Sequence, residues 1–166
     1  MRAIEMTDAS LDFDEFFRST HRRALAAMYL VTGDRHEAEE IVQDAFVRVF
    51  ERWDRIQGLD DPEGYLLRTA MNAFRDRFRR AAMAARRTFT TSMVADDLRA
   101  VEDRDELVRM LRPLAPRQRA AVVATSILDM SAQEAGRLLG MRASTVRSLA
   151  SRARTSLHDL SKEQKR

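Results

Sequence analysis

Cysteine is absent from the 166-residue sequence, and with it disulfides, thiolate metal sites and cysteine nucleophiles. Glycine and proline are scarce, at 5 and 3 residues, which leaves few places to break a helix. No apolar run is long enough to span a bilayer. The start, "MRAIEMTDASLDFDEFF", has neither the apolar core of a signal peptide nor that of an anchor, so a cytoplasmic protein without membrane insertion is expected. What is present is 45% apolar residues, enough for a core, and 33% charged residues, enough for a soluble surface. Strong helix formers (Ala, Leu, Arg, Glu, Met) dominate, which predicts an all-α fold as one large domain or two small ones.

The usual catalytic signatures are missing too. There is no phosphate-binding Gly loop and no "GxSxG" elbow. His21, His36 and His158 are scattered without metal-ligand spacing, so surface histidines are expected and no metal or cofactor is. Paired carboxylates such as Asp96–Asp97 and Glu39–Glu40 sit in polar segments, where a raised pKa is not expected. An enzyme is therefore not expected.

The net charge of +3 hides an uneven distribution. Acids outnumber bases from Met1 to Asp60, and the balance reverses around "RDRFRRAAMAARR". It turns acidic again at "DDLRAVEDRDE" and is strongly basic from Arg112 onward. Alternating acidic and basic faces suit two different partners, one of them nucleic acid.

Apolar spacing predicts a first helix from Ser10 or Asp12 to Gly33, carrying Phe13, Phe16, Phe17, Leu25, Met28 and Tyr29. A second opens at "DRHEAEE", with Asp34 as cap, Glu37 at capping-box spacing and the stripe Ile41, Val42, Ala45, Val49, Trp53. A third opens with an Asp cap before Pro62 and runs to about Arg87. "TFTTSMVADD" reads as a linker. "LRAVEDRDELVRMLRPL" gives a fourth helix and "APRQRAAVVATSIL" a fifth. "DMSAQEAGRLLGMRASTVRSLASRARTSLHDL" gives two more around a tight turn.

That last pair meets the physical requirements of a helix-turn-helix. Gly136 is small where the helices cross, and Gly140 tolerates a left-handed turn. Val146 and Leu149 are expected to face inward, and Arg142, Ser144, Arg147, Ser148, Ser151 and Arg152 outward. Ser131 with Glu134 forms a capping box, and Ser144 or Thr145 is placed to cap the second helix. Such a second helix enters the major groove, where Arg reads guanine and Ser or Thr serves bases or phosphates. A helical hairpin with a solvated Arg face is the competing reading.

Two segments narrow the role. "DRHEAEEIVQDAFVRVFERWDRIQGLDDPEGYLLRTAMNAFRDRFRR" resembles the promoter-opening domain of extracytoplasmic-function sigma factors. The matching elements are the acidic helix Ala38 to Phe46, Trp53, the helix start Asp61 to Leu66 and the basic helix Asn72 to Arg80. "LRPLAPRQRAAVV" followed by "SAQEAGRLLGMRASTVRSLASRAR" resembles the second domain of the same family. The likeness spans nearly the whole chain in the family's order.

The resemblance implies a sigma factor that binds core RNA polymerase (its β and β′ subunits) and directs initiation at particular promoters. It implies domain 2 over residues 1–87, a linker over 88–100 and domain 4 over 101–166. The outer face of the acidic helix, Glu40, Gln43, Asp44, Val47 and Arg48, would dock on a coiled coil of β′. Arg75, Arg77, Arg79 and Arg80 would hold phosphates at the −10 element, with Asn72 near the melted strand and "IQGLDD" as the base-capturing loop. Arg142, Ser144, Thr145, Arg147, Ser148, Ser151 and Arg152 would meet the −35 element. A solvated charged face and a cation-rich helix end remain the plain alternatives for the first two sets. Trp53 and Phe74 are expected in the core. Many family members have an anti-sigma partner; where one exists, the acidic helix and the linker are the surfaces it should cover. The chain departs from the family pattern at Ser144, where Gly is frequent, at Leu149, where Arg is frequent, and at Glu134–Gly136, where many members carry "EIA". The alternative function is a stand-alone helix-turn-helix regulator.

Overall fold

The computed structural model describes residues 5–87 and 102–163, and every element among them is helical. In chain order these are α1 (Glu5–Thr32), α2 (Arg35–Phe50), α3 (Trp53–Ile56), α4 (Pro62–Arg87), α5 (Glu102–Leu111) and α6 (Pro116–Val122). A π-helical turn (Val123–Ile127), α7 (Ala132–Leu139) and α8 (Ala143–Glu163) complete the chain. The expected linker, residues 88–100, lies outside the described residues.

The N-terminal half packs α1, α2 and α4 around Met28, Val31, Ile41, Val42, Val49, Leu66 and Met71, all essentially sealed from water. Each such side chain stabilises the fold by about 1.5–3 kcal/mol relative to leaving it exposed. Ile41, Val42, Ala45 and Val49 fall on one side of α2 because 3.6 residues make a turn. Trp53 and Phe74 are buried, as expected of core residues. Trp53 does not continue α2. It opens α3, where its ring meets Phe13 at 5.3 Å and Phe16 at 4.9 Å.

Caps set the helix ends. Gly33, at φ +72°, stops α1. Asp34 then accepts the Glu37 N–H at 2.8 Å and starts α2. The reciprocal half of a capping box is replaced: the Asp34 N–H donates to the Thr32 hydroxyl at 3.1 Å. Asp61 accepts the Gly64 N–H at 2.7 Å at the head of α4.

In the C-terminal half, α6, α7 and α8 enclose Ala121, Val123, Ala135, Val146 and Ala153. The expected single fifth helix is interrupted. From Val123 the ladder widens, the Leu128 N–H donating to the Val123 carbonyl at 2.9 Å, and Asp129 ends the segment at φ +54°. The Thr125 hydroxyl donates to the Ala121 carbonyl at 2.7 Å, a back-bond that competes with the regular helical ladder.

Asp34→Ala removes a partly buried cap and should cost about 1 kcal/mol, a fall of about 2–4 °C in thermal midpoint for a chain of this size. Asp34→Asn should stay close to wild type, since Asn caps as well. Circular dichroism melts check both; an unchanged Asp34→Ala midpoint would remove the cap from the account of α2.

Candidate nucleic-acid and polymerase interfaces

The helix-turn-helix is built as its residues require. Ser131 and Glu134 form a reciprocal capping box at α7: the Glu134 N–H meets the Ser131 hydroxyl at 3.2 Å, and the Ser131 N–H meets the Glu134 carboxylate at 2.8 Å. These bonds hold the Glu134 carboxyl below the usual range. Gly140 sits at φ +63°, and a side chain at Gly136 would come within 2.7 Å of the Met141 carbonyl. The turn therefore closes tightly over α7. It also starts α8 two or three residues earlier than a cap at Ser144 or Thr145 would. Arg142 occupies the cap position, its carbonyl accepting from the Val146 N–H at 3.1 Å, so Ser144 and Thr145 lie in the first turn and cap nothing.

Val146, Ala150 and Ala153 form the buried side of α8, with Leu149 and Leu157 half-buried against it. Ser144, Arg147, Ser148 and Ser151 fall together on the opposite side by the same period. Arg142, Thr145 and Arg152 flank them; Ser148 is half-buried and the other six are exposed. Arg152 donates to the Ser148 hydroxyl at 2.9 Å, which holds its guanidinium along the face. Leu149 turns inward against the core, so it is not part of this face.

In the N-terminal half, α4 sorts its cations onto two faces. Asn72, Arg75 and Arg79 stand three and four residues apart and share one stripe. Arg77 points the other way. It donates to Glu40 at 2.7 Å and to Asp44 at 3.2 Å, joining α4 to α2. Those bonds raise the Arg77 pKa and hold the Glu40 carboxyl below its ordinary value. Arg80 lies between the two sides, donating to the Asp76 carbonyl at 3.2 Å. The four arginines thus do not share one face of α4.

The acidic helix is divided as well. Glu40, Gln43, Asp44, Val47 and Arg48 are all exposed on α2. Glu40 and Asp44 face α4, whereas Gln43 and Val47 border an apolar groove between α1 and α2. Phe13, Phe17, Leu25, Phe46 and Phe50 line that groove, with Asp14, Arg35 and Glu39 at its rim. Phe17, Val47 and Phe50 are 38%, 53% and 56% exposed, a large apolar patch for a protein surface. Sequence reasoning missed Phe13, Phe17 and Phe50. For Phe13 and Phe17 the signal was the i, i+4 spacing of Phe13, Phe17, His21 and Leu25, the row next to the buried Thr20, Ala24 and Met28 of α1.

Among the described residues no group of three or more His, Cys, Asp or Glu is placed to hold a metal ion. Nor is any described helix long and apolar enough to cross a membrane. His21 lies 4.8 Å from the Phe17 ring, and His36 lies 3.5 Å from Glu40.

Comparison with known proteins matches both halves. The sigma-70 region 2 family model covers residues 16–83, from within α1 to within α4. The sigma-70 region 4 model covers residues 104–157, from α5 into α8. The chain is 31% identical over 151 residues to the RNA polymerase sigma-E factor of Streptomyces avermitilis, covering 90% of this chain and 84% of that protein. It is 32% identical over 146 residues to the ECF RNA polymerase sigma factor SigM of Mycobacterium tuberculosis, covering 87% and 74%. Its fold is similar to the sigma factor RpoE of Bartonella quintana, solved in complex with the anti-sigma factor NepR. That match has a TM-score of 0.74 at 20% identity and covers 91% of this chain and 97% of that one.

The Arg77 bonds give a pH signature. A carboxyl depressed on folding contributes stability that is complete above its unfolded value, about 4.3 for Glu, and is lost as pH falls through the folded value. Glu40 is such a group. Glu40→Gln should therefore lose less thermal stability than wild type as pH drops below about 4.3. Parallel acid limbs in the two proteins would show that the ion pair does not support the fold.

Proposed function

The chain belongs to the extracytoplasmic-function family of RNA polymerase sigma factors, and on that premise we propose how its parts divide the work. The protein is an alternative sigma factor that binds core RNA polymerase and promoter DNA and directs promoter-specific initiation. Within it we assign residues 1–87 to polymerase docking and the −10 element, 88–100 to a linker and 101–166 to the −35 element. The observation that carries this division is the order of matches: region 2 over the acidic and basic helices, region 4 over the helix-turn-helix. A stand-alone regulator would leave the region 2 match without a role, so that reading is not favoured.

Docking is assigned to α2 and its groove. Val47 and Gln43 present the wall and Phe17 and Phe50 supply apolar area, while Arg48 stands on the side toward α4, with Asp44, Arg77 and Arg80. Glu40 and Asp44 lie on the side of α2 toward α4 and are held by Arg77. Their part is to fix the helix as much as to meet the polymerase. At the −10 element, Asn72, Arg75, Arg79 and Arg80 meet the DNA, with Arg77 as the brace behind them. At the −35 element, Arg147 at the centre of the α8 stripe is the principal base reader, and Arg142 and Arg152 neutralise phosphates. The protein acts in the cytoplasm, where polymerase and DNA are, and takes part in transcription without catalysing it. RpoE of Bartonella quintana is held by an anti-sigma factor. A protein of that kind would here cover the α1–α2 groove.

Transcription reconstituted from core polymerase and a promoter library tests the assignment. Initiation should depend on the added protein, and Val47→Asp should weaken core binding at least tenfold, equivalent to about 1.4 kcal/mol. Arg147→Ala should cost roughly 1–3 kcal/mol in −35 discrimination. In the holoenzyme, Arg79→Ala should reduce the salt slope of promoter binding by about one, and Arg77→Ala should leave it unchanged. Strong polymerase-independent binding with no initiation would return the stand-alone regulator.

A further inference from the structure

A depression of about 610 Å³ lies between α2 and α4. Asp44 and Arg48 of α2 line it, with Ala73, Asp76, Arg77 and Arg80 of α4. It shares no residue with the apolar groove between α1 and α2. Residues four apart stand in one row along a helix, so Glu40, Asp44 and Arg48 form the edge of α2 that faces α4. Ala73 is 9% exposed and carries only a methyl, so no long side chain fills the depression from that position.

The charges around it do not cancel. Arg77 is committed to α2, donating to Glu40 at 2.7 Å and to Asp44 at 3.2 Å. Asp76 lies 4.0 Å from Arg75 and 3.8 Å from Arg79, the cations of the neighbouring stripe. Arg80 donates from Nε to the Asp76 carbonyl at 3.2 Å, which fixes one edge of its guanidinium. Among the described residues neither Arg48 nor Arg80 pairs with a carboxylate, and both are exposed. Arg48 stands in the last turn of α2, where a cation also suits the helix dipole. The dipole does not account for the second cation that α4 brings to the same depression.

Resting on the sigma-factor reading above, we propose that Arg48 and Arg80 together seat one phosphate of promoter DNA, where the strand passes from the Asn72, Arg75 and Arg79 stripe of α4 onto α2. Guanidinium forks match phosphate oxygens two at a time. A phosphodiester brings one charge on a narrow chain, so it can enter between the two side chains. A carboxylate-bearing protein segment would press against Glu40 and Asp44, which repel it. The family resemblance groups Arg48 with polymerase docking; its place beside Arg80 moves it to the DNA set. α2 then serves polymerase from its groove side and DNA from its side toward α4.

Two titrations on the same variants test the seat: the protein against core polymerase, and the holoenzyme against promoter DNA over a range of salt. Arg48→Ala should bind core polymerase as wild type does. Its holoenzyme should bind promoter about threefold to fivefold more weakly, by the same factor on different promoter sequences, because phosphate contacts carry no base information. Arg48→Lys keeps the charge and should recover part of that loss. Since one phosphate is shared, Arg48→Ala should add little to Arg80→Ala. The double variant should lower the salt slope by about one rather than two. Circular dichroism checks that each variant keeps its helices. Promoter binding by Arg48→Ala equal to wild type would overturn the seat, as would losses at Arg48 and Arg80 that simply add. A loss of core affinity in Arg48→Ala would also overturn it and return Arg48 to the docking set. Initiation by wild type is scored alongside. If wild type initiates and Arg48→Ala binds promoter unchanged, the seat fails and the sigma-factor reading stands; if wild type does not initiate, that reading fails.

Discussion

Each functional helix buries one apolar stripe, and that burial dictates what the opposite side can offer. Ile41, Val42, Ala45 and Val49 are sealed on α2, and Val146, Ala150 and Ala153 on α8. With 3.6 residues per turn, fixing the buried stripe fixes the azimuth of every other residue on the helix. Gln43 and Val47 must then face outward, as must Arg147 and Ser151. Rotating either helix to expose a different polar set would place Ile41, Val42 and Val49, or Val146, in water, each costing about 1.5–3 kcal/mol. Surface polar contacts are worth far less, so the core sets the interface.

Charge then divides the faces that burial has made available. α4 is rich in arginine, yet its cations are not equivalent. Arg77 meets two carboxylates at close range, whereas Arg75 and Arg79 stand on another stripe and, among the described residues, pair with Asp76 at 4.0 and 3.8 Å. An exposed pair is screened by salt and contributes modestly. Its effect here is geometric, since it ties α4 to α2 at the point where the proposed docking and DNA faces adjoin.

Helix ends supply the rest of the specificity. Gly33 and Gly140 each stop a helix in the left-handed region, and each leaves a bare backbone on which an arginine from the other half comes to rest. The same residues that terminate helices within a half therefore make the contact between halves. A side chain at either glycine would disturb the turn and crowd that contact.

Much of this molecule was legible in the chain. Helical periodicity marked α1, α2, α4, α7 and α8, and Asp34, Asp61, Ser131, Gly33 and Gly140 marked their ends, because caps and stripes are local physics. The family pattern over Ala38–Phe46, Asn72–Arg80 and the helix-turn-helix named the kind of protein. Three things escaped. The π turn at Val123 and the break before Trp53 carry no Gly or Pro and arise from what the side chains reach. The groove at Phe13 and Phe17 reads in the sequence as part of the apolar stripe of α1, because apolar spacing does not say which stripe finds a partner. The sequence by itself determined an all-helical chain with an acidic helix, a basic helix and a helix-turn-helix. Only the tertiary structure decided that Arg77 pairs with Glu40 and Asp44, and that Arg119 bonds Val31 and Thr32. Partners 37, 33, 88 and 87 residues apart are chosen by packing, and no local pattern records them.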